Sequence, residues 1–310
     1  MDFQAIQNEV GAQCRFDVAV AANLTLVKRW INRAQQYIAG CHDWSWLEER
    51  EIVQTAADKT QDSPASSSVA VTSGGTTVTG TATDFATTDI GRYIQFPSTN
   101  DDWYKITARA STTSITIEAG FTGTADITGA NYKIRSFYYA LSSSVDRVVS
   151  VKQARTPITL SAMNPITLDR WGPFYAETGT DPRLYACWAK DAANGGNWVI
   201  QFFPWPSVKI NMEVRYYAVP ADLSANGDTG RIPQKLRDSL LVETAIAFGW
   251  KYLNDDRFDR QWAVVKSLLE KAVNNDGQDR GMVTVLEQVD EGPSNTGIIH
   301  YPADYPLPEG

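Results

Sequence analysis

The chain has 310 residues, of which 43% are hydrophobic, so it is long enough for a buried core and for two domains. Its formal net charge is -8 and it has no cluster of Lys and Arg. These properties exclude a surface that grips nucleic-acid phosphates, since such a surface needs clustered positive charge.

The cysteine spacing and the lengths of the apolar runs indicate the cellular compartment of the protein. Cys14, Cys41 and Cys187 have no close paired spacing, so we expect a reducing compartment, no disulfide and no metal site. The longest apolar run near the N-terminus, residues 18–22, is too short for a membrane span or a signal peptide. A soluble, unprocessed protein is expected. The ten Trp, thirteen Tyr and eleven Phe indicate either a large aromatic core or surfaces buried in an assembly.

Two helices are predicted near the N-terminus. Phe3, Ile6 and Val10 indicate a short amphipathic helix that is broken near Gly11. A longer helix follows and ends at Gly40. Its apolar stripe consists of Leu24, Val27, Ile31, Ala34 and Ile38. An aromatic corner comes next, with Trp44 and Trp46, and leads into a strand around residues 52–55. This corner is predicted to clamp the helix onto a sheet.

A β module is predicted at residues 65–136, after a Ser- and Ala-rich linker. Short stretches of alternating Val, Ile, Tyr and Phe are separated by Gly-containing turns, as in a half-buried sheet. The module is interpreted as an inserted all-β sandwich or barrel. GGTTVTG is predicted to be a hairpin turn, because it lacks the GKS ending and the following helix of a phosphate-binding loop.

Strands and then helices are predicted after the module. Residues 137–153 indicate two strands around a turn, DPRLYACWAKD indicates another, and residues 160–179 are irregular. NWVIQFFPWP and VKINMEVRYYAVP are predicted to pair across the turn near Pro206. Residues 232–275 return to helix, interrupted near Asp256 or Asp259 and ended by Gly277. The first part is apolar nearly all round and is predicted to be buried against the helix of Trp30 and Ile31.

The last thirty residues are predicted to form an extended tail. Their Gly and Pro residues prevent a long regular element, yet apolar residues remain, which a disordered end normally lacks. Docking onto another chain and a floppy end are the two interpretations. The candidate partner-binding residues are Ile298, Ile299, Tyr301, Tyr305 and Leu307. The candidate core residues of the rest of the chain are Leu24, Ile31, Ile38, Trp44, Trp46, Leu240, Ile246 and Trp250.

Catalytic candidates are weak. His42 and His300 have no metal-ligand or nucleophile spacing around them. Asp101 and Asp102, placed in a turn beside Trp103, do not define the facing carboxylates of a glycosidase. We therefore expect no enzyme activity, no cofactor and no metal.

The order of these motifs resembles one family. It consists of WINRAQQYI, a Trp-rich corner, YALSSSVDRVVSV, DPRLYACW, WVIQFFPWP, VRYYAVPADLS and IPQKLRDSLLVETAIAFGW. This order resembles the head-to-tail adaptor, or connector, proteins of tailed bacteriophages. The resemblance covers most of the chain outside the β module and the tail. The module departs from the shorter adaptors.

The resemblance implies a structural virion protein of the phage neck, assembled in the host cytoplasm. It implies a dodecameric ring beneath the portal protein that joins the DNA-filled head to tail or nozzle proteins. The C-terminal segment would contact the portal or neighbouring subunits. Genomic DNA would pass through the channel without specific binding, with no membrane involved. An acidic lumen would not trap the DNA, although ordinary solubility explains the same charge.

The predicted fold class is α+β. Residues 1–64 and 137–280 form an adaptor core, a bundle of the N- and C-terminal helices with β strands. Residues 65–136 form the inserted module and 281–310 the tail. The alternative function is a carbohydrate-binding or depolymerising tail component, favoured only by the Trp-bearing module.

Overall fold

The protein is α+β in a computed structural model that describes residues 1–60, 67–97, 100–156, 158–171, 178–179, 181–191 and 197–279. This agrees with the predicted fold class. The chain divides into two compact units. One contains Met1–Ala34 and the described residues from Pro233 onward, and the other is Gln35–Ile232.

The helices lie mainly in the first unit. They are α1 (Phe3–Cys14), α2 (Ala21–Cys41), α3 (Pro165–Trp171), α4 (Gln234–Leu236), α5 (Val242–Leu253) and α6 (Phe258–Asp279), with a π-helical turn at Arg237–Leu241 before α5. The interruption predicted near Asp256 falls at Asn254, whose left-handed φ of 54° ends α5. The buried residues of α5 include Ala245 and Ile246, which agrees with the predicted burial of this helix.

Close approach of three helices explains one glycine of α5. A Cβ built on Gly249 would lie 2.5 Å from Sγ of Cys14 and 3.1 Å from Cε3 of Trp30. Only glycine therefore allows α1 and α2 to contact α5 at this point. The Trp30 ring also lies 5.6 Å from that of Tyr252. The predicted contact between the helix of Trp30 and this apolar helix is present.

Two predicted helix ends are wrong. α1 continues through Gly11 to Cys14, and α6 passes Gly277. A glycine inside a helix costs only about 1 kcal/mol relative to alanine, so neighbouring contacts outweigh it. At Gly11 a Cβ would meet Cγ1 of Val18 at 2.6 Å, which shows that the glycine serves packing.

The second unit contains the strands. Before the predicted module lies β1 (Glu48–Gln54), which follows a 3-10 turn at Ser45–Leu47. The next strands are β2 (Lys59–Thr60), β3 (Ser68–Val71), β4 (Thr77–Thr81), β5 (Tyr93–Phe96), β6 (Asn100–Ser111), β7 (Ser114–Ile117), β8 (Ile127–Ala130) and β9 (Lys133–Arg135). The remaining strands are β10 (Tyr139–Ala140), β11 (Val145–Gln153), β12 (Ser161–Ala162), β13 (Thr178–Gly179), β14 (Leu184–Asp191), β15 (Asn197–Phe203), β16 (Trp205–Pro206) and β17 (Asn211–Ala218).

Two sheets share a hydrophobic core. The first has the strand order β1-β17-β11, and the second β10-β15-β14-β12. Their inward side chains meet in one cluster that includes Val53, Val151, Ile200, Phe202 and Val214. The aromatic corner precedes β1 as predicted. Trp44 is fully buried there, and its indole N–H donates a 2.7 Å hydrogen bond to the carbonyl of Ile38.

The pairing predicted across Pro206 is wrong. β15 pairs with β10 and β14, whereas β17 pairs with β1 and β11, so the two strands lie in different sheets. Pro204 and Pro206 have no N–H to continue a ladder between them. Both edges of each strand are already occupied by other strands.

The β module contains one eight-stranded sheet, with the order β2-β9-β5-β6-β7-β4-β3-β8. GGTTVTG joins the antiparallel strands β3 and β4, with Gly74 at a φ of +72°, and this confirms the predicted hairpin. The module has its own hydrophobic cluster, which includes Val78, Phe85, Ile94, Ile106 and Ile134.

The region predicted to be irregular, residues 160–179, contains the short helix α3. The Asn164 side chain accepts a 2.9 Å hydrogen bond from the backbone N–H of Ile166, and Pro165 occupies the first turn. Asn followed by Pro is a helix-start signal, and the prediction of an irregular region did not take it into account.

Candidate functional site

The predicted partner-binding residues Ile298, Ile299, Tyr301, Tyr305 and Leu307 lie outside the described residues. Their role stays a prediction. His300 lies outside them as well.

The predicted core residues lie in both units. Ile31, Ile38, Trp44, Leu240 and Ile246 are at most 4% exposed. Leu24, Trp46 and Trp250 are half-buried. Trp46 lies beside Trp44, with ring centroids 5.7 Å apart, and Trp250 lies under the Arg257 guanidinium at 4.4 Å.

The catalytic candidates do not converge. Asp101 and Asp102 lie in strand β6 and not in the predicted turn. Asp102 accepts a 2.9 Å hydrogen bond from the Thr122 hydroxyl. The His42 ring packs edge-on against Trp44, 4.9 Å away. Within the described part of the chain, no group of three or more His, Cys, Asp and Glu side chains could hold a metal ion.

The three thiols are free. Burial raises the pKa of Cys14 to about 11 and that of Cys187 to about 12. It also raises the pKa of Cys41, which the Tyr37 side chain partly offsets. Since the thiolate is the nucleophile, the raised pKa values lower the reactivity of these thiols near neutral pH.

A cleft of about 880 Å³ in the second unit is lined by β1, the chain around β10 and the β module. Its lining includes Ile52, Gln54 and Ala140, and from the β module Ile90 and Lys105. Ile52 is 56% exposed and Ile90 is 43% exposed, so two large aliphatic side chains face solvent here. A cleft with exposed apolar side chains is a candidate binding surface.

The pKa values of two polar groups in the cleft are raised. Burial raises the pKa of Glu51, although the backbone N–H of Ser142 donates to its carboxylate and partly offsets the rise. Burial also raises the pKa of Tyr139 to about 12. The phenol of Tyr139 accepts a 3.4 Å hydrogen bond from the backbone N–H of Ala56. The cleft therefore presents a protonated phenol at neutral pH.

The chain enters and leaves the β module at a buried ion pair. Arg135, which is 1% exposed, donates to both carboxylate oxygens of Asp58, with an Nη2–Oδ2 distance of 2.8 Å. The guanidinium also lies 5.3 Å from the ring centre of Trp103. This ion pair links the residue before β2 to the last residue of β9. It therefore connects the segment that enters the module with the segment that leaves it.

An aromatic cluster lies beside this ion pair. Phe137 contacts Trp103 and Tyr93 of the module at 4.9 and 5.2 Å between ring centroids, and Trp205 at 4.8 Å. The Trp103 side chain is thus half-buried against this cluster and does not form a fully exposed platform for a sugar.

Sequence reasoning missed the cleft, Asp58 and Arg135. The sequence signal for the ion pair is limited to position, because Asp58 directly precedes β2 and Arg135 ends β9. Arg135 lies on the opposite face from the alternating buried residues Tyr132 and Ile134, so the alternation does not indicate its burial. A cleft between segments far apart in the chain leaves no such signal.

None of the described helices is long and apolar enough to cross a membrane.

Residues 81–287 match the family model described as SU10 adaptor protein. The match covers about two thirds of the chain and takes in the β module from Thr81 onward, the strands β10 to β17 and the helices α3 to α6. No match to a curated protein was found. A match of this extent, which takes in the five motifs from YALSSSVDRVVSV to IPQKLRDSLLVETAIAFGW, means that the chain belongs to the SU10 adaptor protein family of bacteriophage adaptors.

Proposed function

We propose that this protein forms a ring beneath the portal and joins the DNA-filled head to the tail. Family membership carries the proposal, because the match spans most of the chain. The expected ring is a dodecamer in the virion neck, and its lumen forms part of the DNA channel. Its partners are the portal protein and tail or nozzle proteins, and assembly takes place in the host cytoplasm.

The charge of the chain is compatible with this role. With 36 acidic and 28 basic residues, the protein offers no general attraction to the DNA backbone. Since phosphate binding depends on clustered positive charge and counterion release, an acidic channel wall lets DNA slide. DNA passage needs no specific site on the protein.

The tail is the proposed docking element. Residues 281–310 contain five acidic residues and no Lys or Arg, and they retain two Tyr and several aliphatic side chains. An extended segment of this composition orders on binding to a partner surface. The core of 1–64 and 137–280, the module of 65–136 and the tail would then have separate tasks.

Electron microscopy tests the proposal. Purified full-length protein, imaged alone and with portal-bearing heads, should give rings on the portal vertex, and native mass measurement should give twelve chains. Monomers or trimers that never join portals would contradict it.

A role in joining needs no chemistry, and we propose that the protein is not an enzyme. Incubation with peptidoglycan or capsular polysaccharide should release no product above a heat-inactivated control. Cleavage that is lost on Asp102→Asn would show a depolymerising tail component instead. No described feature favours that alternative, because Trp103 is used in the aromatic cluster.

A further inference from the structure

The outer edge of β1 is open among the described residues. β1 lies at the end of its sheet and pairs only with β17. The backbone N–H of Thr55 donates to the carbonyl of Ile210, and the carbonyl of Asn211 accepts from Ala154 on the β11 side. Backbone groups alternate in direction along a strand. Because Thr55 faces β17, the odd-numbered residues of β1 also face it, and Arg50, Ile52 and Gln54 direct their N–H and C=O groups outward.

This open edge lines the cleft described above. Ile52 and Gln54 contribute to its lining, together with Ile90 of the module. In an added strand, the residues that bond to Arg50, Ile52 and Gln54 place their side chains on the same face as Ile52. Apolar side chains on such a strand would lie beside the exposed Ile52 and Ile90.

The tail contains a segment with the matching pattern. From residue 299 to 308 the sequence is IHYPADYPLP. Every odd-numbered residue is apolar or aromatic, namely Ile299, Tyr301, Ala303, Tyr305 and Leu307. Every even-numbered residue is His, Asp or Pro, and the three prolines, Pro302, Pro306 and Pro308, all share this parity.

Proline has no N–H and is tolerated in a strand where that position faces away from the partner. An extended segment of residues 299–308 can therefore pair along one edge only, through its odd-numbered residues. The same residues carry the apolar side chains. The proline edge would face outward and would block the addition of a further strand.

We propose that residues 299–308 of one subunit add as a strand to β1 of a neighbouring subunit and occupy its cleft. The inference rests on the ring proposed above and names the neighbouring subunit as the partner of the tail. A head-to-tail contact of this kind, repeated around an axis, closes a ring.

Disulfide trapping in the full-length chain tests this pairing. Cys41→Ser removes the exposed native thiol. Ile52→Cys is then combined with Tyr301→Cys, Ala303→Cys or Tyr305→Cys, and in matched controls with His300→Cys or Asp304→Cys. After mild oxidation, the odd-numbered positions should give ladders of linked chains on a non-reducing gel, at least tenfold more than the even-numbered ones. Equal linking at both parities, or none, would overturn the proposal.

Mixed subunits identify whose tail is bound. One chain carries only Ile52→Cys and the other only Ala303→Cys, so a linked pair can form only between chains. A dimer band is expected. If the doubly substituted chain links but the mixture does not, the tail pairs within its own subunit and the proposal is wrong.

Electron microscopy of the same samples distinguishes a failure of this inference from a failure of the proposed ring. Rings without odd-numbered links would overturn strand addition and leave the adaptor role intact. Links between chains without any ring would support strand addition and count against the ring.

A backbone variant provides a second test. Ile52→Pro removes an N–H that faces away from β17, so the β1–β17 ladder and the melting temperature should be retained. Trapping between Gln54→Cys and the tail cysteines should fall at least fivefold in this background. Undiminished trapping in a folded variant would show that the contact uses no β1 hydrogen bonds.

Discussion

Arg135 and Asp58 show how a few buried charges fix the position of a large segment. A buried guanidinium is tolerated only when its hydrogen-bond donors are satisfied, and Arg135 meets this condition through both Asp58 oxygens and the face of Trp103. Lys133 also reaches Asp58 at 3.4 Å from its exposed side. The ion pair is thus partly shared, but only Arg135 is fully enclosed.

Arg135→Met should lower the free energy of unfolding by about 3–5 kcal/mol, because it leaves Asp58 with one exposed partner in a buried place. Arg50→Met is the matched control. Arg50 is exposed and pairs with Glu213 at 3.2 Å, so its loss should change stability by about 0–1 kcal/mol. Urea unfolding followed by fluorescence measures both. Equal effects would mean that burial of the pair contributes nothing.

Leu240→Asp should abolish soluble protein. Leu240 is 1% exposed in the π-helical turn before α5, and an unpaired buried carboxylate costs several kcal/mol, roughly enough to unfold a marginally stable domain. Leu253→Asp is the matched control, since Leu253 lies at the other end of α5 and is 41% exposed. Soluble yield and circular dichroism distinguish the two, and a folded Leu240→Asp protein would contradict the prediction.

At the scale of elements, the β module has a hydrophobic cluster of its own and also contacts the rest of the second unit. Its hydrophobic cluster consists of its own residues, such as Phe85, Ile94 and Ile106. Its contacts to the rest of the second unit include the aromatic cluster around Phe137, the Asp58–Arg135 pair and the ion pair of Lys59 with the buried Asp89. We therefore propose that the module folds by itself and is held in place by these contacts.

Deletion of residues 65–136, with a short Gly/Ser bridge, should leave a soluble remainder. Phe137 would lose Trp103 and Tyr93 as neighbours, so the remainder should melt at a lower temperature and regain solubility with Phe137→Thr. Size-exclusion chromatography and thermal melting measure this. An insoluble remainder in both backgrounds would show that the module is part of the core and not an insertion.

For the whole molecule, the distribution of charge and apolar residues separates the folded units from the tail. Five of the eight net negative charges lie after Arg280, in Glu287, Asp290, Glu291, Asp304 and Glu309. Burial of two Tyr and three aliphatic side chains of the tail would contribute on the order of several kcal/mol per subunit, at about 25 cal/mol per Å², before the ordering entropy is subtracted. A ring multiplies this contribution through avidity.

Truncation after Asp290 should leave the subunit folded and unable to join portal-bearing heads. Tyr301→Ala with Tyr305→Ala should weaken joining, whereas His300→Ala with Asp304→Ala should not, since these side chains are not apolar anchors. Co-sedimentation with heads measures joining, and thermal melting checks the fold. If the truncated protein joins heads as well as the full chain does, the tail is not the docking element.

The sequence by itself determined the local elements. The apolar stripe of α2, the aromatic corner at Trp44, the hairpin at Gly74 and the break before α6 all depend on residues within a few positions of one another. It also carried the motif order that indicates the adaptor family. Only the tertiary structure decided that β15 and β17 belong to different sheets, that α1 continues through Gly11, and that Asp58 meets Arg135. The cleft beside Ile52 is also a feature that only the tertiary structure decided. Each of these features depends on contacts between residues that are distant in the chain. Which segments pair is decided by the strand edges and faces that remain free after the other elements have packed. Short-range periodicity in the sequence does not contain this information.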